Sequence, residues 1–151
     1  MRVLNALGIR TGWGHAEVMM TDTGPVLIEI GARMMGSGQP RLVADALGQS
    51  QIDLGVLAYI DPKRFFATPD YYELKKHAVL ISLSTEGGWP FNDSIVPELQ
   101  ALPGYVRHGF PYRVGQKTEK TIDLHTALGQ VELAHEDPAV LKISVDKIRD
   151  W

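Results

Sequence analysis

Glu17 and Glu29 are the residues whose type and spacing most plainly invite chemistry. They sit in two apolar-rich runs, HAEVMMT and PVLIEIGAR, on either side of Asp22-Thr23-Gly24. Two such runs joined by a short loop ending in glycine predict a β-hairpin. With a three-residue loop centred on Thr23, Met20 pairs with Val26, Val18 with Ile28 and Ala16 with Ile30. That face is wholly apolar and is expected to meet the core. Side chains alternate along a strand, so the other face carries Met19 with Leu27, Glu17 with Glu29 and His15 with Gly31, and Arg33 lies just beyond.

Cβ atoms of a directly opposed pair lie roughly 4.5–5.5 Å apart, and like charges placed there are destabilising. One carboxylate can hold a proton, solvent can screen both, or a cation can sit between them. A solvated sheet face satisfies the second condition, a divalent-metal site the third. Carboxylate oxygens suit Mg²⁺ or Mn²⁺, and Mg²⁺ is commonly held by one or two carboxylates together with substrate phosphates. Arg33 would then offer a guanidinium fork to phosphate or carboxylate beside the metal.

The elements that must position these residues can be read in order. Residues 2–8 read as the last turns of a helix stopped by Gly8, which suggests further sequence upstream. Pro40 starts a helix with Leu42, Val43, Ala46 and Leu47 on its apolar side, ended by Gly48. Ser50 and Asp53 form a capping box for the next helix, whose apolar stripe is Ile52, Val56, Tyr59 and Ile60 and which stops at Asp61-Pro62. Residues 63–76 read as a connector whose Phe and Tyr residues pack in the core or a lid. A strand follows over 78–84, then the turn cluster EGGWPFND, then an ambiguous stretch over 95–102. Residues 106–114 read as an edge strand because of Pro111. Short strands are expected over 121–125 and within LGQVELAH. Asp137-Pro138 caps a last helix that buries Leu141, Val145 and Ile148. The fold class is α+β: an antiparallel sheet with flanking helices, residues 1–150 forming one domain.

Composition narrows the function. The chain has 151 residues, 15 basic and 18 acidic, with net charge −3 and no cysteine. Disulfides, thiol nucleophiles and zinc–thiolate sites are therefore excluded. No basic stripe points to nucleic acid, and no long apolar run points to a membrane span or signal peptide. The five histidines have no zinc-ligand spacing, and Ser82 and Ser84 have no nameable His–Asp partners. Gly36-Ser37-Gly38 is no dinucleotide fingerprint. Its backbone amides can line an anion-binding concavity, or the glycines can simply reverse the chain.

The stretch HAEVMMTDTGPVLIEIGARMMGSG resembles the metal-binding hairpin of the ATP-grasp superfamily, and most of all its carboxylate–amine ligases, including amino-acid (dipeptide) ligases. In their pattern a Glu on one strand is followed, after a turn, by Glu-x-Asn-x-Arg and a glycine-rich loop. Glu17, Glu29 and Arg33 match it, His15 matches a histidine frequent before the first Glu, and Gly36 and Gly38 match the loop. Gly31 stands at the Asn position, which puts a two-metal site in question. The resemblance covers roughly residues 1–150 and implies the C-terminal ATP-grasp subdomain with a C-terminal extension. It implies ATP and Mg²⁺ (or Mn²⁺) as cofactors, Glu17 and Glu29 as metal ligands, and Arg33 as the catalytic residue at the transferred phosphoryl group. His15, Arg33, Gly36 and Gly38 are implied to bind substrate and phosphate. The implied reaction joins a carboxylate to an amine through an acyl phosphate in a cytoplasmic enzyme. The nucleotide-binding half lies upstream in that family, so this stretch alone is expected to be inactive. A homodimer is compatible with the resemblance. The alternative is a degenerate, non-catalytic ATP-grasp remnant serving in binding or assembly.

Overall fold

A short helix, α1 (Arg2–Ala6), opens the computed structural model, which describes residues 2–151. Gly8 ends it at φ 69°, its amide donating to Asn5 O. The chain then forms the hairpin of β1 (His15–Thr21) and β2 (Gly24–Gly31), followed by α2 (Gln39–Leu47), α3 (Gln51–Ile60) and α4 (Pro62–Phe66). The rest comprises β3 (His77–Leu83), α5 (Val96–Gln100), β4 (Tyr105–Gly109), β5 (Gly129–His135) and α6 (Pro138–Arg149). This is the expected α+β class, with two antiparallel sheets in place of one: β1-β2, and β3-β5-β4. The chain divides into two compact units, residues 1–41 with 49–72 and residues 42–48 with 73–151. No helix of the described residues is long and apolar enough to cross a membrane.

In the first unit the caps read from sequence hold α3 in place. The Ser50 hydroxyl accepts from the amides of Ile52 and Asp53, and the Ser50 amide donates to Asp53 Oδ2 at 2.7 Å. The Ser50 amide first, and then the Ser50 hydroxyl, which also donates to Oδ2 at 2.8 Å, hold the Asp53 carboxyl below its ordinary value of 3.8. A carboxyl depressed in the folded state contributes stability that is present above its unfolded value and lost as pH falls through the folded one. Ser50→Ala is expected to cost about 1 kcal/mol at neutral pH, and Asp53→Asn to flatten the acid limb below pH 3.8. Thermal melts across that range measure both.

Gly55, inside α3, lies under the Trp13 ring, and a Cβ there would fall 2.1 Å from Trp13 Cζ2. The indole Nε1 donates to Gln51 O at 2.9 Å. Helix propensity alone favours alanine over glycine by roughly 1 kcal/mol. Gly55→Ala is nonetheless expected to destabilise, by roughly 1–3 kcal/mol, because Trp13 must be displaced. An unchanged or raised melting temperature would contradict this packing.

Three expectations about this unit fail. Ile52, Val56, Tyr59 and Ile60 do not form a buried stripe, and Tyr59 is 81% exposed. The apolar hairpin face does not meet a core, since Val18, Met20 and Ile28 are exposed. A two-stranded ribbon has too little area to bury its own face. Within 63–76 there is a helix, α4, because Asp61 not only ends α3 but caps a new start by accepting from the Arg64 amide, with Pro62 at the first position. Phe66, Tyr71 and Tyr72 of that region are exposed and not core.

The second unit holds the core. Leu99, Val131 and Leu133 are fully buried and pack with Leu102, Leu141 and Ile148. α6 begins at the expected cap, Asp137 accepting from the Ala139 amide, and buries Leu141 and Ile148 with Val145 half-buried. The ambiguous stretch at 95–102 is the short helix α5, which anchors Leu99. β4 is an edge strand that ends before Pro111. Residues 121–125 form a loop and not a strand, because Asp123 Oδ1 takes the amides of His125 and Thr126 and closes a turn.

Candidate functional site

The hairpin loop contains two residues, not three. Thr21 pairs with Gly24, Met20 with Pro25, Met19 with Val26 and Val18 with Leu27. Gly24 takes φ 111°, a conformation that suits glycine at the tight end of the ribbon. The expected pairs Met20:Val26, Val18:Ile28 and Met19:Leu27 are therefore wrong by one residue. A register shift follows between Val18 and Glu17, leaving Ile28 as the extra residue of a β-bulge. Beyond it, Glu17 pairs with Glu29, Ala16 with Ile30 and His15 with Gly31, as expected. Carried on without the bulge, the turn register would set Glu29 opposite Ala16 on the other face. The extra residue is what places the two carboxylates opposite each other.

Both glutamates are exposed and His15 is half-buried. His15 stands two residues before Glu17, on the same strand face. Among the described residues no group of three or more His, Cys, Asp or Glu side chains is placed to share a metal. The donor set is thus a carboxylate pair. It fits a hard divalent ion that completes its shell with phosphate oxygens and water, and it does not fit an all-protein cage.

Arg33 is exposed and folds back over Gly31. A Cβ on Gly31 would lie 3.3 Å from Arg33 Cγ and 3.4 Å from Nε, and Arg33 Nη1 donates to Met34 O at 3.0 Å. Space that a larger residue at position 31 would need is taken by the arginine stem. In the glycine-rich loop, Ser37 has φ 62°, the only positive φ at a non-glycine among the described residues. A left-handed residue other than glycine costs roughly 1–2 kcal/mol. Such conformations gather at ligand-binding loops, where the surroundings impose them. Gly36 and Gly38 flank Ser37, and the Arg41 amide donates to Gly38 O as α2 begins.

Two supports were not legible in the motif. Gln51 takes the Trp13 indole on its backbone oxygen, and its side-chain amide donates to Met35 O at 3.3 Å. One residue at the start of α3 thereby tethers both the segment leading into β1 and the segment leading into the glycine-rich loop. The only signal was a tryptophan two residues before His15.

The fold is shared with solved ligase and synthetase structures. An L-amino acid ligase from Bacillus licheniformis superposes with TM-score 0.78 at 20% identity, covering 97% of this chain and 38% of that one. A phosphoribosylglycinamide synthetase from Anaerococcus prevotii gives TM-score 0.67 at 17% identity, over 99% and 38%. By sequence the chain is homologous to the dapdiamide A synthase of Enterobacter agglomerans, 33% identical over 156 residues, covering 99% of this chain and 36% of the relative. The chain thus spans little more than a third of the length of these relatives. No family model matches it.

Proposed function

We propose that residues 1–150 serve as the C-terminal catalytic subdomain of an ATP-dependent ligase that joins a carboxylate to an amine through an acyl phosphate. The observation that carries this reading is the bulge at Ile28, which sets Glu29 against Glu17 at an electrostatic cost to the hairpin. In this reading the two carboxylates hold Mg²⁺ or Mn²⁺ on the nucleotide phosphates. The ion, when bound, neutralises charge on the phosphoryl group in transfer. Arg33 turns from Met34 O toward the same group and stabilises the charge it develops. His15 orients substrate from the neighbouring strand position, and the amides around Gly36 and Gly38 receive phosphate or carboxylate oxygens. Gly31 supplies no oxygen, so the reading asks for one protein-held ion. The enzyme would work in the cytoplasm, where ATP is available. The chain alone is expected to turn over no ATP, since it covers only 36% of its relative.

A second reading, a non-catalytic remnant serving in binding or assembly, is favoured by one contact. Arg33 satisfies itself on Met34 O and fills the space beside Gly31.

Paramagnetic Mn²⁺ separates the two without an activity assay. Titrated with ADP into the ¹⁵N-labelled chain, it is expected to broaden the amides of 15–17 and 29–31 first. Broadening scattered over other acidic residues, with the hairpin untouched, would remove the metal site and leave the remnant.

A further inference from the structure

A cavity of about 540 Å³ opens in the second unit, and every residue lining it lies between 81 and 151. None of the hairpin residues takes part. Its floor is apolar: Ile81 and Leu83 from β3, Phe110 after β4 and Ile148 from α6. One wall is an arch in which residues 88–91 run against 115–118, with the Gly88 amide on Thr118 O, the Thr118 amide on Trp89 O and the Phe91 amide on Gln116 O. The arch carries Trp89, 71% exposed, and the end of α6 carries Trp151, 48% exposed. Lys147 Nζ sits 5.9 Å from the centroid of the Trp151 ring, while the Trp89 indole stands largely open at the other side of the hollow.

Side-chain charge at the rim is one-sided. Arg149 lines the cavity and makes no ion pair or side-chain hydrogen bond among the described residues. A cation in the last turn of α6 is favourable to the helix wherever it points. The helix alone, however, does not account for its place at the mouth. Asn92, also in the lining and exposed, accepts through Oδ1 from the Ser94 amide and hydroxyl, and its amide nitrogen has no protein partner among the described residues. Arg149 is the one charged side chain in the lining, which is otherwise apolar or carries neutral hydroxyl, amide and indole groups. The cavity volume is within the 300–1,000 Å³ typical of sites for small organic molecules, which are mostly apolar with a few polar groups fixing orientation.

We infer that this cavity binds a small amphipathic carboxylate, its apolar body on the Ile81–Leu83–Ile148 floor between Trp89 and Trp151 and its carboxylate on Arg149. The site is independent of the hairpin chemistry, and its failure would leave that reading untouched.

The probe is 4-phenylbutyrate, with neutral 4-phenylbutanamide as its isostere. The chain has three tryptophans, so three indole N–H signals report in a ¹⁵N-labelled sample. Trp89 and Trp151 are expected to shift and saturate with a dissociation constant near or below about 1 mM. Trp13, bonded to Gln51 O in the other unit, stays fixed as an internal control. Arg149→Gln is expected to weaken the carboxylate about tenfold, the scale of one charge-assisted contact, and to leave the amide probe unchanged. The inference is overturned by equal affinity for the two probes, by an unaffected Arg149→Gln, by shifts common to all three indoles, or by no saturable shift. Arg149 is exposed, and the dispersion of the same spectrum shows that the variant is folded.

Discussion

Glu29→Gln, placed in an intact ligase carrying this segment, is expected to abolish amide formation while the hairpin stays folded. Gln keeps the shape and removes one charge. The expected loss is roughly 10²-fold or more in kcat, the scale of deleting one preorganised electrostatic element. The same change acts in the opposite sense on stability. Without Mg²⁺, the isolated chain is expected to gain roughly 0.2–1 kcal/mol, since a like-charged cross-strand pair is relieved. Added Mg²⁺ should stabilise the unsubstituted chain and not the variant, because only a bound ion raises stability by mass action. An ordinary exposed glutamate gives none of these effects, and gain of stability with loss of function is what a functional site costs a fold. Thermal melts with and without Mg²⁺, paired with ligation assays, measure both halves. Full activity in the variant would mean that Glu29 is not a metal ligand.

Opposition of Glu17 and Glu29 was legible in the sequence, but the route to it was not. A three-residue loop with regular pairing, and a two-residue loop with a bulge at Ile28, both end with Glu29 against Glu17. The difference appears only nearer the turn, where Val26 and Leu27 exchange faces. Caps were legible because they are local chemistry: Ser50 with Asp53, and Asp137 before Pro138, act within one turn of chain. The final helix was legible because Leu141, Val145 and Ile148 repeat with its period. Burial in the first unit was not legible. An apolar stripe states which side of α3 prefers cover, not whether these residues supply it, and Val56 and Ile60 remain exposed. Residues 121–125 were misread because Thr, Ile and Leu suit a strand, while Asp123 draws two amides to itself and turns the chain. Trp13 and Gln51, which tether the site, meet across 38 positions, a distance at which no sequence motif operates.

A second bulge governs the stability of the other unit. Tyr105 pairs with Leu133 and Arg107 with Glu132, so Val106 is the extra residue and the bulge turns Arg107 to the face of Glu132. Glu132 cannot reach water easily: it is 7% exposed on the central strand, between the fully buried Val131 and Leu133. Arg107 Nε approaches Glu132 Oε2 at 2.7 Å, while Arg107 Nη2 donates to Asp45 Oδ2 at 2.6 Å. The Nε–Oε2 contact is close as a pair of charges but poorly directed as a hydrogen bond, so both atoms depend on their mutual attraction. Burial works against the charge on Arg107. The Glu132 and Asp45 carboxylates together outweigh it and hold the guanidinium above its ordinary value. Arg107→Met is therefore expected to cost about 3 kcal/mol, the lower end for breaking a buried pair from one side, because Arg107 itself is partly exposed. Lysine carries the charge without the fork and cannot serve two carboxylates, so Arg107→Lys should fall between. The double change Arg107→Met with Glu132→Met is expected to recover most of the loss, since no buried charge is stranded and Asp45, 37% exposed in its side chain, returns to solvent. Urea melts of the single and double variants form a cycle that isolates the pair. A single Arg107→Met within about 0.5 kcal/mol of the parent would make the pair a screened surface contact, and the second bulge would then have no electrostatic role.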